Sequence, residues 1–262
     1  MDMKLAGQTA IILASSKGLG YGAAEALAKE GANVTLVGRH ANTLVDAAGR
    51  LEQLTGRRPL TFEADITKAE DIEHIVNETV AVYGTVHILV NNCGGPAPGT
   101  FDNLSDEAWQ QGFELTLLSY VRSIRAVLPY MRKQGYGRIV NLTSSSHKQP
   151  IESLMLSSTF RVGVLGLAKT LAPELASQGI LINTVGPGRF STDRIIQLDQ
   201  LNAERQGVSL KEVTAKEQAN IPIGRYGTTE EMGQLIAFLA SPINSYMTGQ
   251  ALLADGGMVR SL

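Results

Sequence analysis

The sequence has little cysteine, few aromatic residues and no excess of charge of either sign. Its 262 residues include one cysteine, Cys93, which excludes an internal disulfide and is typical of a reducing compartment. Charged residues make up 18% and hydrophobic residues 44%, enough for a full core, which excludes a disordered chain. The 23 basic and 25 acidic side chains nearly cancel, so the chain lacks the positive surface by which proteins hold nucleic acid.

Long hydrophobic runs are also missing. No apolar stretch approaches the roughly 20 residues that span a bilayer. Residues 1–5 contain no hydrophobic signal region. We therefore expect a cytoplasmic protein that contacts neither a membrane nor nucleic acid, and we expect no bound metal ion.

Short apolar runs alternate with longer segments of helical period along the chain. The predicted strands are residues 8–14, 33–37, 60–64, 86–91, 138–143, 180–185 and 251–254. The predicted helices are residues 18–30, 42–54, 72–83, 106–134, 156–177 and 229–239. This alternation implies right-handed crossovers. It predicts a single α/β domain over residues 1–262, a Rossmann-type doubly wound parallel sheet of about seven strands with helices on both faces.

Residues 189–224 depart from this alternation. They are rich in charged and polar residues and carry a helical pattern over about 198–216. The segment follows the sixth predicted strand, and ligands of open parallel sheets lie beyond the carboxyl ends of the strands. It is either a segment that covers the substrate or a solvated surface helix.

A glycine-containing turn follows the first predicted strand and leads into the first helix. Small residues there let the backbone approach a pyrophosphate, and the helix N-terminus offers unpaired N–H groups to anionic oxygens. The place of the turn, directly after the first strand, indicates a dinucleotide site. The residues expected to contact the cofactor there are Ser15, Ser16, Lys17, Gly18, Leu19 and Gly20.

The end of the second predicted strand indicates which dinucleotide is bound. Sites that prefer NAD usually carry an acid there, which binds the ribose hydroxyls of the adenosine. Here the region carries Arg39 instead, and its planar guanidinium, together with Lys17, favours the 2′-phosphate of NADP(H) over NAD(H). Asp65, after the third strand, either hydrogen-bonds the adenine amino group or is a helix N-cap or turn acid.

Further motifs resemble those of the short-chain dehydrogenase/reductase family over essentially the whole chain. They are the glycine turn, Asn91-Asn92-Cys93-Gly94, Pro187-Gly188, and residues 221–227 and 255–257, which look most like the bacterial 3-oxoacyl-[acyl-carrier-protein] reductase branch. The residues that this resemblance adds to the cofactor site are Asn92, Gly94, Pro187 and Gly188. It also places Ala14 where the family has the first glycine of the turn, and alanine can still make this tight turn if its φ stays negative.

In that family four side chains carry the chemistry. A tyrosine donates a proton to the substrate carbonyl, a lysine four residues later lowers its pKa and holds the nicotinamide ribose, a serine polarises the carbonyl, and an asparagine supports a proton relay. Only the serine is retained here, as Ser144. Ser157 and Arg161 stand at the tyrosine and lysine positions, and Thr116 at the asparagine position. No tyrosine lies between residues 137 and 225, so no other alignment of this segment recovers one.

These replacements change the acidity of the site. An alkyl hydroxyl is a much weaker acid than a tyrosine, whose pKa is near 10, and the difference in acidity is about 8 kcal/mol. Arg161 stays protonated and cannot relay a proton, but it can donate hydrogen bonds to the nicotinamide ribose. The proton then comes from Ser157, from His147, or from a water bound by Ser144 and Ser157. Lys148, beside His147, is a second cationic candidate.

Three functions follow from these residues. The first is an NADP(H)-dependent oxidoreductase that reduces a carbonyl or oxidises a secondary alcohol, with a substrate similar to a 3-oxoacyl thioester and with Ser144, Ser157 and Arg161 as its catalytic residues. The alternative is a nucleotide-binding homologue without ordinary dehydrogenase activity, which has a regulatory or assembly role. A third is a different enzyme whose substrate brings its own acid.

The resemblance also implies a homo-oligomer, because members of this family commonly pack two long helices across two-fold axes to form dimers and tetramers. The corresponding segments here are residues 106–134 and 156–177. The second is apolar on more than one stripe, with Val162 and Leu165 among its hydrophobic residues. A helix buried within its own subunit would show the same composition.

Overall fold

The strands form one parallel sheet. The computed structural model describes residues 2–261, and its strands are β1 (Thr9–Ile12), β2 (Asn33–Gly38), β3 (Leu60–Glu63), β4 (Ile88–Asn91), β5 (Gly137–Leu142), β6 (Ile180–Pro187) and β7 (Ala251–Ala254). They lie in the order β3-β2-β1-β4-β5-β6-β7, and every neighbouring pair is parallel. The predicted fold class is confirmed.

Helices cover both faces of the sheet. They are α1 (Gly18–Lys29), α2 (Ala41–Thr55), α3 (Ala69–Tyr83), α4 (Asp106–Phe113), α5 (Ser119–Gln134), α6 (Met155–Ala176), α7 (Asp193–Gln206), α8 (Leu210–Ala219) and α9 (Thr229–Ala240). One core, which includes Leu27 and Ile236, joins α1, α2 and α9 to the sheet. The other, which includes Ile124 and Val164, joins α3, α5 and α6 to the opposite face. Within residues 2–261, no helix has the length and apolar character needed to cross a membrane.

The strand order places a crevice at the carboxyl end of the sheet. The chain moves outward in opposite directions on the two sides of β1, which lies between β2 and β4. Such a reversal opens a crevice beyond the carboxyl ends of the strands, where ligands of open α/β sheets bind. The register aligns these ends, because Ile12 pairs with Val90, Asn91 with Asn141 and Leu142 with Val185. The turns that follow β1, β4, β5 and β6 therefore meet at one edge.

The predicted helix over residues 106–134 is interrupted. A π-helical turn, Glu114–Leu118, separates α4 from α5. At this turn the Ser119 hydroxyl donates to the Leu115 carbonyl at 2.6 Å, and the Thr116 side chain is fully buried. A π turn adds one residue to a helical turn without changing the hydrophobic pattern on either side, so periodicity alone could not reveal it.

Residues 189–224 hold two helices where the pattern predicts one over 198–216. Gly207, at φ 66°, ends α7 in the left-handed conformation, and Ser209 then caps α8 by accepting from the Glu212 N–H at 3.2 Å. The left-handed turn is accessible to glycine at no steric cost, and it stops the α7 ladder. The prediction of one continuous helix is therefore wrong.

Candidate active site

The turn between β1 and α1 leaves the helix N-terminus free. Lys17 is the N-cap residue of α1, but its side chain makes no capping hydrogen bond, and the first turn of the helix contains no acid. The first N–H groups of an α-helix have no partner within the helix and attract anions when no side chain caps them. The N-terminus of α1 is therefore open at the place where the sequence predicts a phosphate site.

Two residues of this turn act differently from the expectation. Ser15 is fully buried: its hydroxyl donates to the Ile12 carbonyl at 2.7 Å and accepts from the Val37 N–H at 3.0 Å, while its own N–H donates to the Val37 carbonyl at 2.8 Å. Ser15 therefore joins β1 to β2 and has no free donor to offer a cofactor. Ala14 has φ 47°, so the condition of a negative φ is not met, and this left-handed alanine stores about 1 kcal/mol of strain.

The loop after β4 forms the opposite wall of the crevice. The Asn92 amide donates to the Ala14 carbonyl at 3.1 Å and so joins this loop to the glycine turn. Gly20 lies against this hydrogen bond, and there is no room for a side chain at its position. A Cβ on Gly20 would lie 2.8 Å from the Asn92 amide nitrogen and 2.4 Å from the Ala14 carbonyl oxygen. Gly94 has open space where a Cβ would be, which leaves room for a ligand. The predicted residues Asn92, Gly94 and Gly20 thus lie together.

The residues predicted to determine the preference for NADP(H) over NAD(H) lie near the end of β2. Ser16 reaches the end of this strand, with its hydroxyl 3.3 Å from where a Cβ on Gly38 would be. Arg39 is exposed and forms no ion pair among residues 2–261. Asp65 accepts from the Thr67 N–H at 3.0 Å and from the Thr67 hydroxyl at 2.8 Å, and these hydrogen bonds, the N–H first, lower the pKa of its carboxyl. One carboxylate oxygen of Asp65 thus accepts both hydrogen bonds of a local turn, which agrees with the interpretation of Asp65 as a turn acid.

The Pro187-Gly188 element closes the crevice beside β7. Pro187 is the last residue of β6, and the Gly188 N–H donates to the Ala254 carbonyl at 2.8 Å. A Cβ on Gly188 would lie 2.7 Å from the Cα of Asp255, so the residue packs directly against the C-terminal Asp-Gly-Gly turn. The Pro187-Gly188 element and the C-terminal Asp-Gly-Gly turn, which both resemble motifs of the family, therefore pack against each other.

Three serine hydroxyls lie together at the end of β5. Ser144 accepts from the Ser146 N–H at 3.1 Å, and the Ser146 hydroxyl lies 3.4 Å from that of Ser157 at the start of α6. Ser146 therefore connects the two predicted catalytic serines, although sequence reasoning did not select it. Because Ser144 accepts through its oxygen and a hydroxyl carries one further donor, its O–H proton is left to point at a bound group.

Arg161 supports this cluster from α6. Its Nε–H donates to the Ser157 hydroxyl at 3.1 Å and one terminal N–H donates to the Leu142 carbonyl at 3.3 Å. The residue is 5% exposed, and no carboxylate within residues 2–261 pairs with it. A buried charge without a counter-charge is costly, whereas a guanidinium still has free N–H donors after two hydrogen bonds. Arg161 thus presents an uncompensated positive charge beneath the serines.

Two neighbouring hydroxyls complete the cluster. Tyr120 is fully buried and donates to the Leu142 carbonyl at 2.6 Å, and burial raises the pKa of its hydroxyl well above its ordinary value. Tyr120 therefore cannot replace the missing acid. Thr116, at the family's asparagine position, has a buried hydroxyl with no hydrogen-bond partner among the described residues.

His147 lies beside the cluster rather than within it. Its Nδ1 is 2.8 Å from the Thr143 hydroxyl, and a Cβ on Gly186 would lie 2.4 Å from its Cε1, so the ring packs against β6. Burial first, then the positive charges of Arg161 and Lys148, lower the pKa of His147 to about 4. The imidazole is neutral near pH 7, so the expectation that it serves as a cationic acid does not agree with its surroundings.

His147 gives the protein a pH dependence of known sign. Its pKa is about 4 in the fold and about 6.5 in an unfolded chain, so the unfolded state binds more protons between these values. We expect the contribution of His147 to be complete above pH 6.5 and to be lost as the pH falls to 4. The loss is on the order of 2 kcal/mol, allowing for partial access of the ring to solvent. Denaturant titrations at several pH values measure it.

The matched variant is His147→Gln, which retains hydrogen-bonding capacity and does not titrate. Its free energy of unfolding should fall less steeply than that of the wild type between pH 6.5 and 4. Equal slopes for the two proteins would show that His147 is protonated in the folded state.

Metal ligands do not gather anywhere in the part of the chain that the structure describes, because no three His, Cys, Asp or Glu side chains there could hold an ion together. The groups described at the crevice are hydroxyls, one buried guanidinium and the open N-terminus of α1.

The chain is similar to well-described reductases over nearly its whole length. A family model described as enoyl-(acyl carrier protein) reductase matches residues 13–259. The 3-oxoacyl-[acyl-carrier-protein] reductase of Vibrio cholerae is 33% identical over 256 residues, which cover 98% of this chain and 99% of that protein. Among solved structures, L-sorbose reductase from Gluconobacter frateurii, complexed with NADPH and L-sorbose, has a TM-score of 0.95 at 32% identity and 100% coverage of both chains.

A second solved structure, an actinorhodin polyketide ketoreductase with NADPH, has a TM-score of 0.92 at 32% identity, covering 98% of this chain and 99% of that one. Sequence, fold and the motifs at the crevice agree. The chain belongs to the short-chain dehydrogenase/reductase family of oxidoreductases.

Proposed function

We propose that this protein is an NADP(H)-dependent reductase that converts a substrate carbonyl to a secondary alcohol, or catalyses the reverse reaction. The observation that carries this proposal is the group formed by Ser144, Ser157 and Arg161 at the carboxyl end of β5, in which a guanidinium that has no ion-pair partner among residues 2–261 donates to the Ser157 hydroxyl. Such a group stabilises negative charge that develops on an oxygen.

The cofactor fits the residues present. The uncapped N-terminus of α1 suits the pyrophosphate, and the free Arg39 guanidinium suits a 2′-phosphate. The rest of the glycine turn is formed by Ser16, Lys17, Gly18 and Leu19. The far wall of the crevice is formed by Pro187 and Gly188. The two neighbouring structures solved with NADPH support NADP(H) as the cofactor of this chain too. Bound there, the reduced cofactor would supply a hydride.

The chain's own residues would stabilise the reacting oxygen. Ser144 and Ser157 donate hydrogen bonds to the substrate oxygen as its negative charge grows. Arg161 holds the Ser157 oxygen at 3.1 Å, which leaves the serine proton free to point away from Arg161 and makes it a stronger donor. Donors aimed at developing charge contribute a factor of about 100 to 1,000 each.

The proton that completes the alcohol would come from water. A serine hydroxyl is too weak an acid to be the final donor, and Arg161 does not release its proton. Ser144 and Ser157 therefore hold the oxygen while solvent protonates it. The arrangement separates charge stabilisation from proton supply, two tasks that the family's tyrosine combines.

The substrate and assembly are inferred from the surroundings of the site. We infer that residues 189–224 cover a small-molecule or acyl-thioester substrate, because they follow β6 at the crevice edge. A homodimer or homotetramer is supported by apolar side chains that α6 leaves exposed, Met155 at 37% and Val162 at 50%. A cytoplasmic location stays a prediction from the sequence.

A direct test is NADPH oxidation by the wild type with a panel of 3-oxoacyl thioesters, diketones and ketoses. We expect turnover by the wild type. The comparison variant is the Ser157→Tyr, Arg161→Lys double substitution, which restores the family's pair on the same backbone. Turnover by the double variant alone would contradict the proposal and show that the natural protein binds cofactor without catalysing reduction. Failure of either protein to bind NADPH would contradict the cofactor assignment.

A further inference from the structure

The beginning of α7 lies across the cofactor crevice. We define the strap as residues 192–194, the N-cap and first two residues of this helix. Its Thr192 methyl lies 3.7 Å from where a Cβ on Gly18 would be, on the glycine turn. The Arg194 guanidinium lies 3.5 Å from the corresponding position on Gly95, in the loop after β4. The strap therefore contacts both walls of the crevice.

An ion pair holds the strap to the glycine turn. The Lys17 ammonium lies 3.3 Å from the Asp193 carboxylate, and their side chains are 64% and 66% exposed. Lys17 is also one of the two cations assigned to the cofactor's 2′-phosphate. The same ammonium group thus has two anionic partners to choose between, one in the protein and one in the ligand.

The strap forms the capped N-terminal end of α7. The Thr192 hydroxyl accepts from the Ile195 N–H at 3.4 Å, so α7 begins at a capped turn. Asp193 is therefore held at the helix start, where a carboxylate is favoured by the helix dipole. Its position beside Lys17 is a property of the fold and not of a free side chain.

We propose that Asp193 competes with the cofactor's 2′-phosphate for Lys17, and so sets how strongly the protein prefers NADP(H). The inference rests on the proposed NADP(H) function. When the 2′-phosphate takes Lys17, Asp193 loses its partner and the strap loses one attachment to the glycine turn. Arg39 forms no ion pair among residues 2–261, although its charge helps to lower the pKa of Asp65, so its binding of the phosphate breaks no ion pair.

The test is isothermal titration with two ligands that differ only in the 2′-phosphate, adenosine 2′,5′-bisphosphate and adenosine 5′-monophosphate. Asp193→Asn should tighten binding of the bisphosphate about threefold, because the interaction that no longer competes is a single exposed ion pair, and should leave the monophosphate nearly unchanged. In a Lys17→Met background the same substitution should have no effect. Glu204→Gln, 11 residues further along α7, is the matched control and should change neither affinity.

Three results would overturn the inference. An equal gain for both ligands would show general repulsion by Asp193 and no competition for Lys17. A gain that persists in the Lys17→Met background would show the same. If the bisphosphate binds the wild type no better than the monophosphate, the NADP(H) assignment itself fails and the competition with it. Because the ligands lack the nicotinamide, the result does not depend on whether the enzyme turns over.

Discussion

Arg161→Met is expected to lower kcat for carbonyl reduction about 100- to 1,000-fold without destabilising the fold. The guanidinium lies behind Ser157 with its Nε–H on the serine oxygen at 3.1 Å, so its removal takes away both the positive charge and the hydrogen bond that orients the hydroxyl. Because no carboxylate pairs with Arg161 among residues 2–261, methionine leaves no buried counter-charge behind. The free energy of unfolding should therefore stay level or rise.

Arg161→Lys separates charge from geometry. Lysine keeps the charge but lacks the fixed fork that reaches Ser157 and the Leu142 carbonyl together, so its kcat should lie between those of the wild type and the methionine variant. Steady-state kinetics combined with thermal unfolding measure both properties. A kcat for Arg161→Met within threefold of the wild type would show that the guanidinium is structural only. A loss of activity accompanied by a similar loss of stability would point the same way.

Asp199→Ala is expected to destabilise the protein by about 3 kcal/mol, the largest stability effect that we predict. The Asp199 side chain is 2% exposed and pairs with Arg189, which itself is 17% exposed. It also accepts from the Tyr226 hydroxyl at 2.7 Å. Burial first, then this hydrogen bond, raises the pKa of Tyr226 to about 12, so the tyrosine stays a donor. Removing the carboxylate leaves Arg189 with Glu217, 3.5 Å away, as its remaining ion-pair partner.

The consequence is a looser connection between α7 and the end of β6. We expect thermal unfolding about 6 to 10 °C below the wild type for a chain of this size. The matched control is Glu231→Gln, which breaks the ion pair of Arg225 and Glu231, whose side chains are 52% and 45% exposed. That exposed pair should contribute little to stability. Equal losses for the two variants would contradict the role assigned to Asp199.

The doubly wound parallel sheet, and the edge of it at which a ligand would bind, could be predicted from the sequence. Apolar runs of strand length alternate with helical segments, and handedness leaves few ways to assemble them. The turn before Gly18 and the Asn92-Cys93-Gly94 segment are recognisable because backbone that approaches a phosphate needs small residues at fixed places. Such features depend on neighbours in the chain, so local sequence determines them.

Other features depend on residues that are distant in sequence. Nothing near Ser15 shows that its hydroxyl would join β1 to β2, because its acceptor and donor come from different strands. The left-handed φ of Ala14 and the low pKa of His147 likewise arise from the packing around them. Which groups a side chain hydrogen-bonds depends on the residues that the tertiary structure places beside it. These residues cannot be identified from the local sequence.

The sequence by itself determined the doubly wound sheet, the phosphate turn and the absence of the tyrosine, because each follows from residue type at a known place in the chain. Only the tertiary structure decided that Arg161 faces Ser157 without a counter-charge, that Ser146 connects two serines, and that Asp193 reaches Lys17. Asp193 and Lys17 are 176 positions apart, a separation that leaves no local signal. Charge pairing in a folded chain depends on distance in space, and that distance is fixed only when the core has packed.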